Sequence, residues 1–366
     1  MKIVLFGLTL SSSWGNGHAT PYRAVLRALH AMGHQAVFFE KDTDYYRSRR
    51  DFTHCDYCDL VLYESWENIR SSALEHANSA DVIITASYLP EGRRINDEIL
   101  SLGRPLRVFY DLDTPVTLGG MERTGEVEYL HRDQLPAFDL VLSFAGGKVL
   151  EDLEKRHGAR LARPLYGCVD PDDYIRVDPH PEFACDLSYM ATYAPDRQHK
   201  VDELFVEPAR RNPQRQFVLA GPLYPVDWCW PANVRHAEHV SPREHPAFYS
   251  SSRITLNITR AEMASNGWCP SGRFFEAAAC GTPLLSDWWE GLDWFFDVVH
   301  DIRVVARAEH VESAINLPDA ELLALAAHAR ERTLDDHTGQ VRARELLQHL
   351  EEARTTGLAE KSEAVR

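Results

Sequence analysis

The chain is 366 residues long, which favours two packed domains of roughly 150 to 200 residues over one core. Its 39 Lys and Arg stand against 55 Asp and Glu, and the formal net charge of −16 opposes binding to nucleic acid or anionic lipid, although a local basic pocket can still hold a small phosphate. The odd count of 7 cysteines argues for reduced thiols of the cytoplasm rather than a disulfide framework, and no apolar stretch reaches the roughly 18 residues that span a bilayer.

The opening MKIVLFGLTLSSSWG sets Lys2 before an apolar run in the manner of a secretion signal. That run is only about eight residues, contains Gly7 and leads to no small-x-small cleavage site, so β-branched Ile3 and Val4 suit a first buried strand over 3–8 instead. SSSWGNGHAT reads as a loop, and PYRAVLRALHAMG as an amphipathic helix opened by Pro21 and closed by Gly33. AVFFE (36–40), DVIITAS (81–87), LRVFYDLD (106–113) and FDLVLSF (138–144) follow as short apolar runs, the kind found in parallel sheets covered on both faces. They predict a doubly wound α/β domain over 1–165. Within it, Cys55 and Cys58 form a lone CxxC beside His54; no second pair stands at zinc-ribbon spacing, so solvated or half-buried thiols are expected.

At RPLYGCVDPDDYIRVDPHPEF prolines, aspartates and a glycine replace periodic sequence, and we read 166–184 as a linker. Alternation restarts with DLSYMA (186–191), a helix around HKVDELFVEPARR, QFVLAG (216–221) and RITLNIT (253–259). A second α/β domain is expected over 185–340, with a helical tail at 341–366.

The segment NGWCPSGRFFEAAACGTPLLSD, from Asn266 to Asp287, carries the densest chemistry. Ser271 suits an N-cap, Phe274, Phe275, Ala278 and Ala279 form one apolar helical face, Gly281 suits the far end, and Pro283 precedes a strand. The backbone N–H groups around Ser271 and Gly272, the positive end of the helix dipole and the Arg273 guanidinium make an anion site. Glu276, one turn in, suits a ribose diol; a solvated first-turn carboxylate is the plainer alternative.

The run SGRFFEAAACGTPLLSDWWEGL resembles the nucleotide-sugar motif of glycosyltransferases with the two-domain GT-B fold, in the variant of CgeB-like (spore-maturation-type) proteins of the family 4 group. YGCVDPDDY resembles that group's interdomain signature, DLSYMATYAPDRQHK its second-domain phosphate loop, and HTGQVRARELL its final helical segment, so the likeness covers most of the chain. The resemblance implies an α/β protein with two Rossmann-like doubly wound domains facing across a cleft. It implies transfer of a hexose from a nucleoside diphosphate sugar, UDP-type, to a small-molecule, glycan or protein acceptor, with no metal and no cofactor beyond the donor as co-substrate. It assigns Glu276 to the ribose diol and Arg197 and Lys200 to the diphosphate; Arg273 joins them from its place at the helix start, and Gly17, Asn266, Asp287 and Glu290 are placed as acceptor or sugar contacts. The chain departs from the group at Trp268, where a second glutamate is usual, and at Tyr110-Asp111, where a His-Asp pair is common.

GNGHATP also resembles the GHxxP loop of other GT-B transferases, in which the histidine is a base near the acceptor, and His18 fits that position. A dinucleotide-binding reading competes, because GNGHAT approximates GxGxxG and Glu40 ends the second strand, but Thr20 and Pro21 alter the turn. Asp111 and Asp113 spell DxD; an acceptor-side or histidine-orienting role is expected over a metal site. Trp288, Trp289 and Trp294 suit a sugar-stacking wall or a core patch equally. A nucleotide-sugar epimerase or hydrolase, and a non-catalytic nucleotide-sugar-binding protein, are the alternatives to a transferase.

Overall fold

The apolar runs of the first half become strands of one parallel sheet in the computed structural model, which describes residues 1–226 and 228–364. They are β1 (Lys2–Gly7), β2 (Gln35–Lys41), β3 (Asp59–Tyr63), β4 (Val82–Ala86) and β5 (Leu106–Asp111); after a small antiparallel pair, β6 (Glu126–Val127) and β7 (Leu130–His131), come β8 (Leu140–Ser143) and β9 (Ala162–Pro164). The order across the sheet is β3-β2-β1-β4-β5-β8-β9. Side chains alternate between faces along a strand, and here both faces are covered. Ile3, Phe38, Val82 and Leu140 pack with Tyr22, Leu26 and Leu29 of the helix Ala19–Ala31. On the other face Val4, Phe6, Phe39 and Ile83 pack with Trp66 and Ala77 of Trp66–Asn78 and with Ile95 and Ile99 of Gly92–Leu100. This double covering is why the strands read as unbroken apolar runs.

The second half repeats the plan with β10 (Cys185–Met190), β11 (Phe217–Ala220), β12 (Val234–Ala237), β13 (Ser252–Asn257), β14 (Leu284–Ser286) and β15 (Ile302–Val304), ordered β12-β11-β10-β13-β14-β15 and parallel throughout. Both sheets therefore have the doubly wound order of a Rossmann-like domain. The helix expected around 199–211 forms as Gln198–Val201 and Glu207–Arg211 joined by a wider π-helical turn, Asp202–Val206. Pro208 accounts for that turn, since it has no N–H to donate four residues back.

Contacts group residues 1–13, 18–166 and 339 onward into one unit and 14–17 with 167–338 into the other. Two boundaries differ from the sequence reading. The segment 166–184 is not a free connector: from Gly167 it belongs to the second unit, where the Val169 N–H donates to the His337 carbonyl at 3.0 Å and Tyr174 and Phe183 are buried. The tail read at 341–366 is part of the first unit as the helix Gly339–Ala364, with Ala343, Leu346 and Leu350 in its core; residues 365–366 lie outside the described ones. Gly339 permits this docking, because a Cβ there would stand 2.4 Å from the Ala24 carbonyl oxygen. Among the described residues no helix is long and apolar enough to cross a membrane.

Candidate active site

In the first sheet the strand order reverses between β1 and β4, and ligands of open α/β sheets collect beyond the carboxyl ends of strands at such a point. His18 comes from the segment after β1, Ser87 and Tyr88 follow β4, and Asp111 and Asp113 lie at the end of β5. His18 Nε2 lies 3.0 Å from Asp113 Oδ2. Asp111 is buried, and its Oδ1 accepts the Thr117 hydroxyl at 3.0 Å and the Asp113 N–H at 3.1 Å. Burial pushes the Asp111 carboxyl up to about 7, with the Asp113 charge adding to the rise and the hydrogen bonds from Thr117, Asp113 and Ser87 opposing it. The adjacent carboxyls thus occupy different environments, one dry and hydrogen-bonded, one partly open and paired with a histidine. Burial and the Asp111 charge raise the phenols of Tyr22 and Tyr129, and Tyr129 shares a 2.7 Å hydrogen bond with Thr117.

The sequence reading missed Tyr88, an exposed residue whose ring centre lies 5.8 Å from that of His18 and 5.0 Å from that of Tyr129. Its φ of 59° is left-handed, a conformation that costs a bulky residue energy and is concentrated at functional loops. No pattern in one sequence marks it. Gly17 is exposed with open space about its Cα, so steric need does not explain it. Glu40 is fully buried and committed: it accepts the N–H groups of Leu10 at 2.7 Å and Ser11 at 2.9 Å, and the hydroxyls of Ser11 at 2.6 Å and Thr9 at 3.1 Å. The carboxylate that a dinucleotide-binding site would turn to a ribose here folds the loop after β1.

In the second sheet the reversal falls between β10 and β13. Ser271 caps the helix Gly272–Ala279, accepting the Arg273 N–H at 3.4 Å, and Glu276 is buried one turn in. Its Oε2 lies 3.4 Å from His245 Nδ1 and accepts the Tyr249 hydroxyl at 3.4 Å. Burial alone would raise the Glu276 carboxyl; His245, Arg273 and Tyr249 together hold it below the ordinary glutamate value. His245 also meets the Tyr174 hydroxyl at 3.2 Å through Nδ1 and the Val240 carbonyl at 3.2 Å through Nε2. Sequence reasoning passed over this group, although His245 and Tyr249 stand four apart on one helical face.

The three basic residues assigned to the diphosphate differ in their commitments. Arg197 is buried and donates to the carbonyls of Thr192 and, at 3.5 Å, Ile258. Lys200 Nζ pairs with Asp287 Oδ2 at 2.6 Å, while Asp287 Oδ1 accepts the N–H and hydroxyl of Thr259, each at 3.0 Å. The structure thus joins Lys200, read as a phosphate ligand, to Asp287, read as a sugar contact. Arg273 is half-buried, and among the described residues its guanidinium has no hydrogen-bond or ion-pair partner. The charges of Arg197 and Arg273 both act on the phenols of Tyr189 and Tyr224, lowering proton affinities that burial raises.

Asn266 turns its side-chain amide to the Glu262 carbonyl at 2.8 Å, and the Glu290 side chain is exposed. Trp268 sits at a left-handed φ of 48° and donates its N–H to the Glu290 carbonyl at 2.6 Å. Its ring covers Gly291, where a Cβ would come within 2.6 Å. The tryptophans divide: Trp289 is core, packed edge-on to Phe274, whereas Trp288 and Trp294 are exposed.

Residues 197–348 match the family described as glycosyl transferase-like. Among solved structures, sucrose-phosphate synthase from Thermosynechococcus elongatus shares 14% identity and a TM-score of 0.68, over 97% of this chain and 99% of that one. An alpha-glucosyltransferase in complex with UDP-glucose and DNA shares 13% and 0.69, over 96% and 99%. Anabaena HepE in complex with UDP and glucose shares 10% and 0.63, over 96% and 100%. No curated protein sequence matches the chain. The whole chain thus shares the GT-B fold of these structures, and its residues 197–348 match a glycosyl transferase-like family.

Proposed function

We propose that the chain transfers a hexose from a nucleoside diphosphate sugar of the UDP type to an acceptor hydroxyl, in the cytoplasm and without a metal. Arg273 carries this reading: a half-buried cation at a helix start, with no internal partner among the described residues, one turn from the buried Glu276. A guanidinium and helix N–H groups suit a diphosphate, and a carboxylate suits a ribose diol. Solved neighbours carry UDP or UDP-glucose, which supports a uridine donor. The motif SGRFFEAAACGTPLLSDWWEGL supports a place in the CgeB-like branch. Some neighbours are complexes with DNA, but the net charge of −16 disfavours a nucleic-acid acceptor here and leaves a small molecule, glycan or protein.

In the reaction the bond between the sugar's anomeric carbon and the diphosphate oxygen breaks, and a bond from that carbon to the acceptor oxygen forms. His18 takes the acceptor's proton, and Asp113, hydrogen-bonded through Nε2, stabilises the imidazolium that results. This path inverts the anomeric configuration. Arg273 and the helix start, with Arg197 and Lys200, counter the charge of the leaving diphosphate.

Incubation with UDP-sugars and an acceptor panel in excess EDTA tests the proposal, with released UDP and glycosylated product measured together. Equal release and transfer, with inverted product, are expected. Activity lost in EDTA and restored by manganese would move Asp111 and Asp113 to metal ligation. UDP release without any transfer would indicate the hydrolase or epimerase alternative, and binding without turnover a non-catalytic protein, which the departure at Trp268 would then explain.

A further inference from the structure

The two oxygens of the buried Glu276 carboxylate are not equivalent. Oε2 takes both internal contacts, lying 3.4 Å from His245 Nδ1 and accepting the Tyr249 hydroxyl at 3.4 Å, whereas Oε1 has no hydrogen-bond partner among the described residues. One oxygen is anchored and the other is free. Both anchors stand on the helix His245–Ser250, where the ring centres of His245 and Tyr249 lie 6.2 Å apart, edge to face. His245 is itself fixed on two sides, because Nε2 lies 3.2 Å from the Val240 carbonyl and Nδ1 lies 3.2 Å from the Tyr174 hydroxyl, with only 12% of the side chain exposed. Carbonyl and carboxylate are both acceptors, so the ring serves the two together as the imidazolium, with an N–H on each nitrogen. The ring therefore cannot turn without giving up a contact.

We propose that His245 is a positioning residue of the donor site: its Nδ1–H holds Glu276 Oε2, keeps Oε1 for the ribose hydroxyls, and so sets a preference for nucleoside diphosphates with an intact ribose diol. The inference rests on the reading of Glu276 as the ribose ligand. A carboxylate taken out of water keeps its charge only where hydrogen bonds and opposite charge replace the lost solvent. Tyr249 supplies a hydrogen bond, His245 a hydrogen bond and a charge, and Arg273 a further charge. In the bound state the Arg273 charge is shared with the donor's diphosphate, so His245 is the cation that remains for Glu276. A hydroxyl pair read by an oxygen held in this way is worth most when the acceptor is already charged and already in place.

Calorimetry on the full chain with UDP and with 2′,3′-dideoxy-UDP separates this role from a structural one, because the two ligands share base and diphosphate and differ only in the diol. The wild-type chain is expected to bind UDP about 10- to 100-fold more tightly than the analogue, the span of hydrogen bonds to a charged group. An Asn amide reaches as far along the side chain as Nδ1 and a Gln amide as far as Nε2, so His245→Asn keeps a donor toward Glu276 and His245→Gln only one toward Val240. His245→Asn is expected to retain most of the preference and His245→Gln to abolish it, with the analogue's own affinity unchanged in both. His245→Leu, which fills the space and offers no donor, should match His245→Gln and takes its place where that chain folds poorly. A wild-type preference in the Gln or Leu chain, or equal loss in the Asn and Gln chains, would overturn the proposal. Equal affinity for the two ligands in the wild-type chain would instead remove Glu276 from the ribose, and the failure would then lie in the donor-site reading beneath the proposal.

Discussion

The two units share a central strand order, yet the strand ends near their points of reversal carry different chemistry. In the first, β5 delivers two carboxyls, one of them against a histidine; in the second, the segments after β10 and β13 deliver Arg197, Lys200, Arg260 and Arg273 beside the carboxylates of Asp196, Glu276 and Asp287. The contrast separates what the sheet decides from what the side chains decide. Topology fixes where a ligand is met. Which groups remain for that ligand depends on internal commitments: Arg197 is tied to backbone carbonyls and Lys200 to Asp287, while Arg273 is tied to nothing within the described residues. In the first unit Asp111 is spent on Thr117 and the backbone, so Asp113 is the carboxylate that reaches His18.

If the units divide the work in this way, the largest effect comes from His18. His18→Ala is expected to lower turnover about 10²- to 10⁴-fold with donor affinity unchanged, the size of a lost general base. Retention of wild-type turnover, measured as product formed per enzyme, would remove the first unit from the chemistry. The next effect lies in the second unit. Arg273→Ala is expected to weaken UDP binding by about 1.5 to 3 kcal/mol, roughly 10- to 150-fold in Kd, the worth of a charge-assisted contact, with a smaller loss of stability, because no hydrogen bond of the guanidinium is broken and only its charge near Glu276 is lost. Arg197→Ala should do the reverse, lowering Tm through the unsatisfied Thr192 and Ile258 carbonyls more than it weakens UDP. Calorimetry and thermal melts on both variants measure this contrast, and equal affinity losses would show that internal commitment is no guide to the phosphate site.

Much of the fold was legible because parallel strands covered on both faces leave a signal in every residue. The runs read at 81–87 and 253–259 overlap β4 and β13 with errors of one or two residues. β3 escaped because DLVLY carries exposed or half-exposed positions, and the second-unit packing of 167–184 escaped because Pro and Asp look alike in a connector and in a packed, irregular segment. At the site, the N-cap at Ser271 followed from local helix rules, which act within one turn, whereas the burial of Glu276 did not, since a solvated first-turn carboxylate fits the same pattern. The contacts of Glu276 with His245, of Lys200 with Asp287 and of His18 with Asp113 span 31, 87 and 95 residues, and no spacing rule in a single sequence reaches that far.

The smallest effects, taken per unit of pH, set one buried carboxylate of each unit against the other through stability and pH. Asp111 has its proton affinity raised, from the ordinary 3.8 to about 7, so the folded state holds a proton that the unfolded state has released between those values. Its contribution is full below the ordinary value and is lost as pH rises through about 7, at no more than about 1.4 kcal/mol per pH unit. Glu276 is shifted the other way by His245, Arg273 and Tyr249, so its contribution is present above the ordinary 4.5 and is lost as pH falls below it. Asp111→Asn should therefore gain stability over wild type as pH rises toward about 7, and Glu276→Gln should gain on wild type as pH falls below the glutamate value. Tm differences of about 2 to 4 °C per kcal/mol make both slopes measurable in parallel melts across pH. Slopes of the same sign in the two variants would mean that burial governs both carboxyls, and that the histidine and arginine beside Glu276 do not distinguish the second unit from the first.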